Sequence, residues 1–499
     1  MQMKNSKYYL YGASIQGIQS FILQTDKLKD IVGASELVEK ICTDFFYDFK
    51  EPGNENNGTI IEAAGNIKYL FSDYEKCKYA VLEFPKKVME AAPGITVSQA
   101  VIAYDDAKNF EDAINKLELR LKSQRNKQYT STHALMSMRR SRQTALPVTK
   151  VYKDDYIDES TAAKRETAND EMKHPVINLS KKCFGKEKLK AENIAFNIED
   201  ITDRNDWVAI IHADGNGLGL IVQKVGKHKE DFKKFSDSLG KATEEAAQNA
   251  YNKISNRFED KERIPIRPVV LGGDDFTVIC RADFAIEYTQ HFLKEFEVAT
   301  EKYLGDLLKE YKVFKNNETK LTACAGIAYI KSSYPFHYGY RLSDELCTHA
   351  KKNSRKDRDK DEVIPSSLMF HKVQDSFAES YEDIIARELT TIDEISFKYG
   401  PYYLSSNDNK PLIDELLDNV QKFEGKDGSA VKTHLRQWLS DMTYNKEMAD
   451  QRLKRLKSNI KSNKILISFV DKITSGDKIA TYDLLSLHSI FYNVTKNAE

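Results

Sequence analysis

The sequence predicts an α+β chain: two ferredoxin-like units in tandem, the first degenerate and the second active, followed by an α-helical C-terminal domain. Two patterns carry that expectation. One order of elements, strand, helices, hairpin, helix and strand, occurs once before residue 130 and again after residue 206, which is a split βαβ pattern. Past residue 377 the apolar spacing turns almost wholly helical through YEDIIARELTTI, LIDELLDNVQKF, VKTHLRQWLSDM and EMADQRLKRLKSNI, as a helical bundle requires. At 499 residues the chain exceeds what one compact core usually covers. The boundaries expected are 1–130, 131–205, 206–375 and 376–499.

In the first unit the strand KYYLYGAS (7–14) precedes helical periodicity over 16–39. A hairpin follows: TIIEA at 59–63, a turn at Ala64-Gly65-Asn66, and IKYLF at 67–71. A helix over 74–91, a strand over 95–104 and a charged helix over 110–123 complete it. In the second unit the strand WVAIIHA (207–213) runs into a Gly-rich turn and helical sequence to 254. Then come RPVVL at 267–271, the turn Gly272-Gly273-Asp274-Asp275 and FTVIC at 276–280. A helix over 284–303, a strand over 321–330 and a helix over 341–352 close the repeat. Residues 136–205 are polar and weakly periodic and read as an insertion or linker. The charged run KKNSRKDRDKDE (351–362) reads as a solvated loop after a helix end.

Composition excludes several classes. Lys plus Arg number 75 against 76 Asp plus Glu, so a basic footprint over the whole molecule is absent and nucleic-acid contacts would be local. Six scattered cysteines form no C-x-x-C pair, which leaves no visible zinc site or disulfide framework. The N-terminal residues lack a signal-peptide core, and no run reaches membrane-spanning length. A soluble cytoplasmic protein without membrane partners is expected. No His-Asp dipeptide occurs, which speaks against an HD-type nuclease.

The chemistry centres on three carboxylates. Asp214 ends an apolar strand and is followed by Gly215-Asn216-Gly217-Leu218-Gly219, while Asp274 and Asp275 occupy a hairpin turn. In a ferredoxin-like sheet that strand and hairpin are central neighbours, so the carboxylates would converge at one edge. Hard cations take clustered oxygens, and Mg²⁺ binds through one or two carboxylates plus substrate phosphates. Two such ions, Mg²⁺ or Mn²⁺, would stabilise the attacking and leaving oxygens of an in-line displacement. Gly215, Asn216 and Gly217 open a helix whose N-terminus favours a polyphosphate, and Gly272 and Gly273 leave open floor for a nucleotide. Lys331, after a strand, and Lys351, at a helix end beside Lys352, are the cations that could offset triphosphate charge. His212 shares the strand face of Asp214 by alternation, as a packing, orienting or catalytic residue. Taken alone, a D-G pair is usually a turn and a GGDD often a hairpin turn; the two motifs in order, each ending an apolar strand, point to a metal site. The first unit has Ser14-Ile15-Gln16 and Ala64-Gly65-Asn66 at the corresponding places, with no carboxylate, and reads as scaffold.

HADGNGLG at 212–219 and LGGDDFTVI at 271–279 resemble the second palm of the large polymerase-like subunit of type III CRISPR effector complexes. ASIQGIQSFILQTDKLKDIVGASELVEKI at 13–41 resembles that family's inactive first palm. The resemblance covers residues 7–375, with the C-terminal helices matching the family's helical final domain. It implies a GGDD palm that converts ATP to cyclic oligoadenylates when target RNA is bound in the assembled complex, with Asp214, Asp274 and Asp275 holding the metals. It implies CRISPR effector subunits and guide or target RNA as partners, alongside a possible homo-oligomer. Two departures stand out: the chain is expected to start directly with the first palm, without an HD nuclease domain, and 141–160 lack the zinc-binding cysteines many members carry between the palms, so a stand-alone relative of the family is the alternative to a complex subunit.

The leading expectation is thus a nucleotidyltransferase making a cyclic oligonucleotide signal from ATP. The alternatives are a structural scaffold subunit of an RNA-guided complex, a GGDEF-like cyclic dinucleotide synthase, and a template-dependent polymerase, which the near-neutral charge disfavours.

Overall fold

A computed structural model describes residues 7–491 apart from 64, 105–109, 126–136, 153–154, 174–177, 186–190, 203–205, 258–262, 357, 360, 376–379, 392, 406–409 and 477. Ala64, in the expected first turn, lies outside the described residues, as does part of the expected 131–205 insertion.

The first unit runs β1 (Tyr8–Gln16), α1 (Ile18–Ile22), α2 (Leu28–Lys40), α3 (Glu55–Gly58), β2 (Thr59–Ala63), β3 (Asn66–Phe71), α4 (Tyr74–Ala91), β4 (Thr96–Tyr104) and α5 (Phe110–Arg125). Its antiparallel sheet has the order β2-β3-β1-β4. Strand β1 is buried along nearly its whole length, because both faces are covered. Tyr9, Tyr11, Ala13 and Ile15 enter the main core, while Leu10 enters a second cluster with Ile102 and Leu117. That is the period of two expected of a strand. Gly12 faces α5, where a Cβ would stand 2.8 Å from Leu117 Cδ2.

The middle segment contains β5 (Lys150–Tyr152), β6 (Asp155–Ile157), α6 (Glu159–Lys173) and α7 (Asn178–Phe184). The linker expected there is in part a packed layer. Helix α6 crosses α2 so closely that a Cβ on Gly33 would lie 1.8 Å from the Lys164 carbonyl oxygen. Its two buried cations are both engaged: Arg165 Nε donates to Asp30 Oδ1 at 3.0 Å, and Lys164 Nζ donates to the Phe21 carbonyl at 2.7 Å. Two buried cations depress the apparent hydrophobicity of α6, which is why the sequence pattern looks solvated.

The second unit runs β7 (Trp207–Gly215), α8 (Leu218–Val225), α9 (Lys229–Ile254), β8 (Ile266–Gly272), β9 (Asp275–Arg281), α10 (Ala285–Glu310), β10 (Ala323–Lys331), α11 (Phe336–Arg355), β11 (Ser367–Lys372) and, after α12 (Tyr381–Arg387), β12 (Tyr402–Tyr403). The sheet order is β12-β11-β10-β7-β9-β8. Its last four strands repeat the arrangement of the first sheet, with β11 and β12 added beyond β10. The sheet thus continues past residue 375, through a two-residue strand too short to show periodicity. Helix α11 also extends further than its expected end at 352, so the first part of the 351–362 run is helical and not loop. Phe336, Tyr340, Ser343, Cys347, Ala350 and Ser354 form its buried stripe, and the small residues within it hide the pattern.

Helices α13 (Ile413–Gln421), α14 (Gly425–Tyr444), α15 (Lys446–Asn459), α16 (Lys464–Thr474) and α17 (Thr481–Phe491) follow. Helix α17 packs against α13, α14 and β11, which seats these helices on the edge of the second sheet. The two units meet through Arg267 of β8 and Glu36 of α2, both fully buried at 3.8 Å, and through the Phe336 backbone N–H, which donates to Asp26 Oδ1 at 3.3 Å. Among the described residues no helix is long and apolar enough to cross a membrane.

Strand β10 and helix α11 approach each other at Gly326, where a Cβ would meet the Ser343 carbonyl oxygen at 1.9 Å and the Cys347 nitrogen at 2.5 Å. Both are backbone atoms and cannot swing aside. Gly326→Ala is therefore expected to cost about 3 kcal/mol, the upper end of overpacking effects. Urea unfolding measures this, and an unchanged midpoint would contradict the packing described.

Candidate active site

Strand β7 places Asp214 one residue from its end, directly opposite Asp275 on β9. Gly272 of β8 is also paired with Asp275, so the β8–β9 connection is the two-residue turn Gly273-Asp274. Gly273 takes a φ of 63° there, a conformation that glycine adopts without strain. The turn folds Asp274 over the end of β7. A Cβ on Gly215 would stand 2.8 Å from Asp274 Cβ, so the glycine is what lets Asp274 reach Asp214.

The result is a carboxyl pair. Asp274 is raised to about 8, first by burial, then by its hydrogen bond to Asp214 and that group's charge. Two like charges this close disfavour double ionisation, so the pair holds on to a proton that Asp274 alone in water would release. Asp275 is also raised, chiefly by burial, with Asp214 and Asp344 adding and His212 opposing. Its Oδ1 is buried and accepts no hydrogen bond among the described residues, although His212 Nδ1 lies 3.5 Å away.

Helix α11 supplies the remaining charges. Lys351 Nζ pairs with Asp214 Oδ2 and donates to the Gly215 carbonyl at 2.9 Å. Two turns earlier on the same helix, Asp344 Oδ1 lies 3.4 Å from His212 Nε2. His212 is buried, with Nδ1 at 3.0 Å from Thr277 Oγ1, and so stands between Asp275 and Asp344. Asp344 was not among the residues the sequence singled out. The spacing of seven from Lys351 was available as a signal, since it puts both on one helix face.

Other singled-out residues fall differently. Asn216 bonds inward, with its backbone N–H on the Thr322 carbonyl at 2.8 Å and Nδ2 on Thr322 Oγ1 at 3.0 Å. Among the described residues its buried Oδ1 accepts no hydrogen bond. Gly217, with a φ of 78°, is the N-cap of α8. Lys331 corrects an expectation: it pairs with Trp207 while Cys324 pairs with Asp214, which puts it at the opposite end of β10, roughly 23 Å away at strand rise. Its Nζ sits 4.5 Å above the Trp207 ring. Of the two lysines, Lys351 alone stands with the carboxylates.

The first unit holds the same positions without charge. Ser14 of β1 pairs with Asn66 of β3 as Asp214 pairs with Asp275, and the Ser14 hydroxyl donates to Asn66 Oδ1 at 3.1 Å. Arg125 Nη2 also donates to Ser14 Oγ, at 3.0 Å. Between the units lies a cavity of about 230 Å³ whose wall includes Gln19, Gly65, Gly272 and Asp275.

Among the described residues no group of three or more His, Cys, Asp or Glu is arranged as a formed metal site. The donor set nonetheless fits a hard cation: a carboxyl pair that repels in its ionised form, and a buried Asp275 oxygen without a donor. The Lys351 ammonium answers part of that charge here.

Residues 207–360 match the family model described as Cas10/Cmr2, second palm domain. No curated protein matches the chain. Solved structures do. A Csm1–Csm4 cassette in complex with cA3 aligns over 99% of this chain and 70% of its own, at 12% identity and a TM-score of 0.57. The cassette with AMPPNP aligns over the same shares at 13% identity and 0.56. Csm1 of T. onnurineus aligns over 98% and 70%, at 13% and 0.57. Residues 207–360 are thus similar to the Cas10/Cmr2 second palm domain, within a fold shared with the Csm1 structures.

A raised carboxyl has a thermodynamic signature. Folded Asp274 keeps a proton that the unfolded chain releases near pH 4, so the metal-free fold loses stability as pH rises from there to about 8. Asp274→Asn removes that loss. In EDTA its melting temperature should exceed that of the unaltered protein by a margin that grows from pH 5 to 8. Parallel curves would contradict the pairing.

Proposed function

We propose that this chain is a metal-dependent nucleotidyltransferase that condenses ATP into cyclic oligoadenylates, as a subunit of a type III CRISPR effector. The observation that carries the proposal is the cross-strand Asp214–Asp275 pair, with Asp274 folded onto it beside a cavity between two palm-like units. The matched cassettes, whose ligands include cA3, cA4 and AMPPNP, support the same reading. The pairing of those Csm1 chains with Csm4 supports a Csm4-like partner for this one.

In this reading Asp214, Asp274 and Asp275 would hold divalent cations, Mg²⁺ or Mn²⁺. The cations supply charge neutralisation at the triphosphate and a lowered proton affinity at the attacking hydroxyl. The 3′-hydroxyl of one nucleotide attacks the α-phosphate of another, and pyrophosphate leaves. The rest falls to the chain's own groups. The floor at Gly272 and Gly273 leaves room for a nucleotide, and the space between the units aligns two substrates, which converts a bimolecular step to an effectively unimolecular one. Lys351, which now pairs with Asp214, would be placed to meet phosphate oxygens if that carboxylate held a cation. His212 and Asp344 orient Asp275. The first unit, uncharged at Ser14 and Asn66, acts as the opposing wall.

Two outcomes test this. Asp274→Ala with Asp275→Ala should lower cyclic oligoadenylate formation at least about 100-fold, or about 2.7 kcal/mol, with the fold intact. Mass spectrometry of products from ATP with Mn²⁺ and a bound target RNA reads it, and retained synthesis removes the metal-site assignment. Adding Asn66→Asp to that double variant should restore nothing, because Ser14 opposite leaves the new carboxylate alone. Recovered synthesis would show the first unit to be a latent catalytic centre.

A further inference from the structure

A second cavity, of about 440 Å³, lies at the end of the second sheet away from Asp214. Strand β11 ends there on Lys372, and β10 ends on Lys331 nearby, across the Trp207 ring. Lys331 and Lys372 place their Nζ atoms 4.5 and 4.6 Å from the centroid of the Trp207 ring, so one indole receives two ammonium groups. Across the cavity α14 contributes Arg436, and α17 contributes Ser486 and Ser489. Lys372 Nζ donates to Ser489 Oγ at 2.5 Å.

The charge here is unbalanced. Glu388 is the one carboxylate in the described wall, and it is already engaged: His371 Nε2 lies 3.5 Å from its Oε2, and Tyr482 donates to the same atom at 3.3 Å. The groups acting on Lys372 are Lys331 and Arg436, and together with burial, the larger cause, they push its ammonium down to about 8. A half-buried ammonium such as Lys372, with two further cations converging on it, costs stability unless an anion joins them. A phosphate group answers that cost, because ammonium, guanidinium and hydroxyl donors all match its oxygens.

We propose that this cavity binds a phosphate group of a nucleotide or nucleic-acid strand between Lys372 and Arg436, with the Ser486 and Ser489 hydroxyls completing the donor set. The site is separate from the carboxylate centre, seven residues along β10, and does not depend on whether that centre turns over. It also gives Lys331 a place: a flank of the anion pocket, steadied on Trp207.

The test uses the full chain carrying Asp274→Ala and Asp275→Ala, in EDTA, so that metal-dependent nucleotide binding is silent. Inorganic pyrophosphate, ATP and a ten-nucleotide single-stranded RNA are titrated calorimetrically, with and without Lys372→Gln and Arg436→Gln. At least one probe should bind, and the paired Gln substitutions should weaken it tenfold or more. Binding of pyrophosphate or ATP assigns the pocket to free nucleotides, and binding of RNA alone assigns it to a strand backbone. Should Lys372→Gln impair folding, Arg436→Gln alone, at an exposed position of α14, must weaken binding at least threefold. Absence of binding by all three probes, or affinity unchanged by the substitutions, overturns the proposal.

Discussion

The register between β7 and β9 sets Asp214 opposite Asp275, and the rest of the candidate site is built around that pairing. Side chains alternate along a strand, so a slip of one residue would turn every carboxylate and every core residue to the wrong face. Burial prevents the slip: Val208 to Ala213 pack among helices on both sides of the sheet. The tight turn after β8 then leaves Asp274 a single place, above Gly215. Helix α11, held against β10 at Gly326, brings Lys351 and Asp344 to the same edge.

The edge that results is dense in negative charge, and the first unit shows that the fold does not require it. There the equivalent pair is a serine hydroxyl on an asparagine oxygen, a neutral contact in the same sheet order. Burial first, and the neighbouring carboxylates after it, raise the affinity of Asp274 and Asp275 for protons, a standing cost to the metal-free state. Such costs cluster where a protein binds or reacts. The proposed centre thus draws its tendency to take up cations from the burial and repulsion that make it unfavourable without them.

Much of this was legible in the sequence because it rested on local, periodic signals. The two apolar strands ending in Asp214 and in the GGDD turn announce themselves, and the order of elements around them supplies the sheet. What escaped depends on distance in space. Lys331 and Lys351 look alike as cations beside an element end, and only the antiparallel pairing of β10 with β7 separates them, sending Lys331 to Trp207. Asp344 and Lys351 share a face of the expected 341–352 helix, but only the packing of that helix beside β7 shows that the face meets His212 and Asp214. Lys164 and Arg165 make α6 look solvated, yet both are buried against α2 and the neighbouring loop. Strand β12 has two residues and no period to detect.

The most direct test of the account is the anomalous scattering of Mn²⁺ in crystals of the protein grown with AMPPNP. The account predicts density for manganese within coordination distance of Asp214 and Asp275, with Lys351 withdrawn from Asp214 and turned to the phosphates. Nucleotide bound with no manganese at these carboxylates, and Lys351 still paired to Asp214, would contradict it.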